Sequence, residues 1–247
     1  MSKERVSFSI KSSAAWAPGV ETKDAWLAWA DGKCAITPGR EPSVRYIGPM
    51  LRRRAGFAAK MALEVAYQCL GNRNDVPLVF SSRHGEASRS VALLSELAAG
   101  TPPSPTSFSL SVHNASAGLF SIARSDHANA AALAAGQSTV ESAVVEACGL
   151  LADGAPDVLL IAYDCPLPEV YAAFQDCAEQ PYAWGWLMQS PGNDFYSLGW
   201  SADETEFGPI GERLPAGLEI LRFQLRGDAV LERTCDKRRW RWMHYVA

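Results

Sequence analysis

Apolar runs separated by Gly, Pro and charged clusters divide the chain into alternating strands and helices. "VSFSI" (6–10) predicts a first strand, and "TKDAWLAWADG" a short helix with Gly32 as its C-terminal cap. Residues 50–70 read as one amphipathic helix, with Leu51, Phe57, Met61, Val65 and Leu70 near one face and Gly71 closing it. A strand over 76–82 and a helix ending at Gly100 follow, then "TPPSPTS" (101–107), whose prolines exclude regular structure. "NASAGLFSIARS" predicts a short helix, and "HANAAALAAGQ" an Ala-rich buried strand entering a turn. Residues 139–153 form a buried helix and 157–164 the clearest strand. "LPEVYAAFQDC" reads as a helix, 182–189 as a strand, and 190–212 as a loose acidic stretch. "LPAGLEILRFQLRG" is one more helix before the strand pair "AVLERTC" and "RWRWMHYV". This alternation predicts an α/β layered sheet. No repeat or linker divides the chain, so residues 1–247 are expected to be a single domain.

Composition narrows the function classes. At 48% hydrophobic and 20% charged residues, the chain is of ordinary globular type. A net charge of -4 provides no field to attract nucleic acid or an anionic membrane. The one basic run, "DKRRWRWMHYV", could stack on bases, but it reads better as a terminal strand with Trp240 and Trp242 buried and its arginines wet. The six cysteines show no metal-ligand spacing and are expected to be mostly reduced core thiols. No signal peptide or spanning segment is evident, which points to the cytoplasm.

Motifs for common chemistries are absent. GxGxxG, the Walker loop and HExxH do not occur, and "GQSTV" lacks the second Gly of a serine-hydrolase elbow. What remains is a turn of distinctive form. An apolar strand ends at Ala134 or Ala135, the chain turns at Gly136, and a helix begins near Ser138 or Thr139. A residue on that elbow projects from a helix N-terminus, where a cysteine would be activated as a nucleophile. Gln137 stands there instead and cannot ionise. It is either the relic of a nucleophile site or a polar helix cap satisfied by backbone groups.

Residues 105–164 resemble the N-terminal half of a β-ketoacyl-acyl carrier protein synthase, through "PTSFSLSVHNASAGLFSIA" and "AVVEACGLLADGAPDVLLIAYD". "MLRRRAGFAAKMALEVA" and "VPLVFSSRHGE" are similar to earlier parts of that family. The resemblance spreads diffusely over about residues 1–190 and implies a thiolase-like layered fold with a mixed sheet. Residues 190–247 would then be a divergent or truncated C-terminal remnant. It also places the family's catalytic Cys at Gln137. Glutamine there is carried both by chain-length factor subunits and by decarboxylating ketosynthases, but the latter need two downstream histidines. Beyond Gln137 this chain has only His244.

The resemblance therefore implies a short chain-length factor of the kind found in aryl polyene biosynthesis. Such a subunit is catalytically silent, has no cofactor or metal, and walls the acyl pocket of a full-length ketosynthase partner that works with an acyl carrier protein. A half-fold of this kind is expected to leave a large apolar surface for its partner. Gln137 and Ser138 would mark the vestigial site. His113 and Asn114 would lie at the dimer interface, although Asn114 also suits a plain N-cap. Phe108, Ser88, Arg89 and Ser90 match regions that gate the pocket, or are ordinary core and helix surface. His84 is read as structural. An alternative function is an acyl- or malonyl-thioester decarboxylase or hydrolase with Gln137 as the amide donor in an oxyanion site.

Overall fold

A computed structural model describes residues 5–203 and 213–246. The sheet contains β1 (Arg5–Trp16), β2 (Leu78–Ser81), β3 (Ala130–Leu133), β4 (Val158–Asp164), β5 (Tyr182–Gln189), β6 (Asp194–Ala202), β7 (Val230–Cys235) and β8 (Arg238–Val246). The helices are α1 (Lys23–Ala30), α2 (Pro49–Arg54), α3 (Phe57–Leu70), α4 (Ala87–Ala98), α5 (Pro105–Ser109), α6 (Ala115–Arg124), α7 (Thr139–Ala152) and α8 (Ala216–Arg226). Two 3-10 turns, Gly136–Ser138 and Glu169–Phe174, complete the set among the described residues.

The eight strands form one mixed sheet in the order β3-β2-β4-β5-β1-β6-β8-β7. β2 runs parallel to β3 and β4, whereas the other pairings are antiparallel. β4 is buried along its whole length, as expected of a central strand with helices on both faces. One core holds α3 and α6 against one face; the other holds α1, α7 and α8 with Trp184, Trp186, Trp240 and Trp242. Trp240 and Trp242 are buried, while Arg239 and Arg241 beside them are exposed, as the alternation in the sequence predicts.

Several elements depart from the sequence reading. The helix expected over 50–70 breaks at Ala55 and Gly56, both in extended conformation. A side chain at Gly56 would meet Glu86 Oε2 at 2.7 Å, so the break lets that carboxylate approach the start of α3. Within the proline-rich turn, Pro105 opens the one-turn helix α5, where proline is tolerated because its missing N–H is not needed. The helix expected over 167–177 is only the 3-10 turn. β3 is a half-exposed edge strand rather than a buried one, since only β2 pairs with it. Part of the loose acidic stretch is β6, whose Tyr196 and Leu198 turn inward between β1 and β8; residues 204–212 of that stretch lie outside the described residues.

The large apolar surface expected of a half-fold does not lie over α7. α8 and the β7–β8 hairpin cover α7, and the mostly buried Arg233 of β7 pairs with Glu141 of α7 and, at 2.8 Å, with Glu219 of α8. The large side chains left exposed include Leu94 and Leu97 on α4, Phe108 on α5, Val112, and Ile122 on α6. All six cysteines are free thiols, but only Cys69, Cys148 and Cys235 are buried.

Candidate functional site

The elbow forms where β3 gives way to α7. Gly136 takes a φ of 56°, the left-handed conformation that glycine adopts at no steric cost, and a 3-10 turn carries Gln137 into the helix. Thr139 locks the turn by donating from Oγ1 to Gly136 O at 2.7 Å and accepting from Ala135 N at 3.0 Å.

Two distant carboxylates close this place. Asp236, at the tip of the β7–β8 hairpin, accepts from Ser138 N at 3.0 Å and Ser138 Oγ at 2.8 Å. Its negative charge thus sits at the start of α7, where the helix dipole favours one. Trp240 Nε1 donates to Ser138 Oγ at 3.1 Å and fixes the hydroxyl. On the other side, Gln137 Nε2 donates to Asp176 Oδ2 at 2.8 Å. Arg83 grips the same carboxylate at both oxygens, at 2.8 and 2.9 Å. Burial pushes the Asp176 carboxyl up, but the bonds from Arg83 and Gln137 outweigh it and hold the group below the usual carboxylate range.

Gln137 is therefore bonded to a side chain, which differs from a cap satisfied by backbone groups. A thiol does stand nearby, since Cys235 Sγ lies 3.3 Å from Ser138 Oγ. Burial pushes that thiol up, despite its bond to Ser138, so it is not an activated nucleophile. His244 sits at the other end of β8 from Asp236, bonded to Asp194 Oδ1 at 2.8 Å and stacked on Tyr196.

The other residues singled out from sequence lie around the turn after β2 and in α4 to α6. His113 Nε2 bonds Ser82 O at 2.8 Å and lies over Gly85, where an added side chain would meet the ring at 2.9 Å. Asn114 occupies the cap position of α6, but its side chain makes no capping bond. His84 bonds Glu179 Oε1 at 3.0 Å, and its backbone N donates to the buried Asp164. Ser88 and Arg89 line a cleft of about 570 Å3 between the start of α3, α4 and the segment Cys165–Pro166. Ser90 turns away towards Ser111 O, at 3.5 Å. Phe108 projects from α5 with 66% of its surface exposed.

Sequence reasoning missed Glu86, which lines this cleft and is 8% exposed. Burial pushes its carboxyl up, against the pull of Arg89 and the Ala59 amide. Asp176 and Asp236 were missed as well, because loop carboxylates carry no periodic signal.

The sequence pattern of the family described as "Beta-ketoacyl synthase, N-terminal domain" matches residues 26–243. The chain belongs to this family. Its fold is thiolase-like α/β, as the resemblance implies. Among solved structures, this β-ketoacyl synthase-family chain is similar to one from Xenorhabdus doucetiae, described as the ketosynthase ApeO in complex with its chain length factor ApeC. The TM-score is 0.84 at 25% identity, covering 96% of this chain and 99% of that one. It is also similar to the ishigamide ketosynthase/chain length factor, with a TM-score of 0.63 at 13% identity over 81% and 68% of the two chains. A third likeness is to AntDE:AntF, a type II acyl-carrier protein in complex with its ketosynthase, with a TM-score of 0.68 at 11% identity over 99% and 100%. At these lower identities the last two show the fold alone. No curated protein sequence matches the chain.

Proposed function

We propose that this chain is the chain-length factor of a ketosynthase heterodimer, does no condensation itself, and helps wall the acyl pocket of a full-length ketosynthase in aryl polyene biosynthesis. The observation that carries this reading is the elbow, where an amide bonded to Asp176 and a carboxylate seated on Ser138 occupy the surroundings a thiolate would need. The likeness to the ApeO–ApeC structure, over nearly the whole of both chains, supports the same assignment. In this reading the acyl carrier protein reaches the partner's active site, and residues 190–247 replace the second half of the fold with a short cover for α7.

The surface of the chain is suited to pairing. Among the described residues β3 leaves one edge unpaired, and Ile122 stands exposed on α6, which packs beside it; Phe108 and Val112 are exposed as well, with Leu94 and Leu97 on α4 packed beside α5. Stable obligate interfaces bury about 2,000 Å2 or more, largely of such apolar surface. In this reading His113 and Asn114, at the start of α6, face the partner.

The alternative, an oxyanion site built on Gln137, fits the geometry less well. Its amide already donates to a carboxylate, and that negative charge would repel a developing enolate. The test is co-expression with the cognate ketosynthase. The chain is expected to be poorly soluble alone and to co-purify as a heterodimer that condenses malonyl units, with no turnover by the chain alone. A well-behaved monomer that decarboxylates malonyl thioesters and loses this activity in Gln137→Ala would overturn the reading.

A further inference from the structure

The basic and aromatic run at 236–246 divides its side chains between the two faces of the sheet, as alternation along a strand requires. Arg239 and Arg241 stand on one face, where they pair with Asp203 and Glu232. Arg238 and Trp240 point the other way, towards α7. In register they lie beside Ala202 and Trp200 of β6. The rings of Trp200 and Trp240 meet at 5.8 Å, tilted by 50°, and the Arg238 guanidinium lies over the Trp240 ring at 5.9 Å. A cleft of about 490 Å3 opens here between the hairpin and α7, whose Ser142 and Val145 line its far side. That volume is ordinary for a small-molecule site.

The polar side chains around this cleft are set to donate. Lys237, at the hairpin tip, and Arg238 make no ion pair among the described residues, unlike Arg239 and Arg241 beside them. The Trp200 indole N–H and the Ser142 hydroxyl also have no hydrogen-bond partner there. Asp236 is the one carboxylate in the lining, and it is already spent on Ser138 N and Oγ. Two cations less the Asp236 charge leave a single positive charge, which a monoanion balances better than a phosphate dianion does.

We propose that this cleft binds a planar aromatic acid, with its ring against Trp200 and its carboxylate held by Arg238 and Lys237. A guanidinium lying flat on an indole keeps its N–H edge free, and that edge fits both oxygens of a carboxylate. The indole of Trp200 offers a matching apolar face to the ring. An aliphatic acid would gain the charge contacts without the stacking, and a neutral aromatic the stacking alone. The site uses neither the contact between Gln137 and Asp176 nor the exposed apolar side chains that the proposed function gives to the ketosynthase, so it stands apart from that reading.

The test compares 2-naphthoate with its neutral counterpart 2-naphthamide and with cyclohexanecarboxylate. Binding is measured by calorimetry on the full chain, in complex with the ketosynthase where the two co-purify. 2-Naphthoate is expected to bind about tenfold more tightly than the amide, as one charge-assisted hydrogen bond implies, and to weaken as salt rises. Arg238→Gln is expected to remove that preference, and Lys237→Gln to reduce it severalfold. Trp200→Leu should weaken naphthoate severalfold and leave the aliphatic acid unchanged. Lys237 and Arg238 are exposed and Trp200 is half-buried, so all three variants are expected to keep their Tm. Naphthoate binding no tighter than the amide, binding unchanged in both charge variants, or no binding of any probe would overturn the inference. Failure to co-purify bears on the proposed function alone.

Discussion

The elbow at Gln137 and the cleft at Glu86 each bring a carboxylate to the start of a buried helix, and they use it in opposite ways. At the elbow, Asp236 is spent on Ser138, and Asp176 on Arg83 and Gln137. In the cleft, Glu86 Oε1 makes no hydrogen bond, and Arg89 Nε meets Glu86 Oε2 only as an ion pair at 3.6 Å. The protein has filled one place with its own groups and kept the other open. Polar satisfaction, more than position on the fold, is what separates the two places.

That contrast can be broken or sharpened by substitution. The largest effect is expected from Gln137→Cys. Between Asp176 and Asp236 the new thiol should titrate at or above the ordinary value of about 8.5, so its thiolate fraction at pH 7 falls at least about tenfold short of an activated nucleophile's. Alkylation rates against pH measure this, and a thiol titrating below pH 7 would mean that the elbow still serves catalysis. Asp236→Ala should cost about 1–2 kcal/mol through the lost cap and the uncovered Ser138 amide, read as a lower Tm. Trp240→Phe, which removes one buried bond to Ser138, should cost about 1 kcal/mol.

Glu86→Gln should behave differently from these elbow variants, with a stability change within about 0.5 kcal/mol of zero at neutral pH, because no buried bond depends on Oε1. The smallest effect concerns pH. The lowered Asp176 carboxyl contributes stability that is present above the ordinary carboxylate range and is lost as pH falls through its folded value. Asp176 is half-exposed, which keeps this contribution small. Asp176→Asn should slightly flatten the acid limb of a Tm-against-pH curve.

The elbow was legible in the sequence because it is local, an apolar strand, Gly136 and a buried helix in consecutive residues. What surrounds it was not. Asp176 lies 39 residues beyond Gln137, and Asp236 lies 98 beyond Ser138, in loops whose acidic residues resemble any solvated turn. β6 was hidden for a similar reason, since Pro191, Gly192 and the acidic residues of its stretch outweigh the alternation of Tyr196 and Leu198. The break at Gly56 is invisible without Glu86, because the periodicity of 50–70 continues unbroken across it. Arg89 was singled out through a family likeness, whereas Glu86, three residues earlier, had no pattern to mark it.

The hairpin that carries Asp236 makes the present state of the elbow hard to reverse. Exchanging the amide for a sulfur leaves two anions in place, one of them delivered from the far end of the chain. A cysteine placed at 137 would therefore meet two carboxylates that disfavour its thiolate, so the elbow is kept from serving a nucleophile by charge as firmly as by the missing thiol.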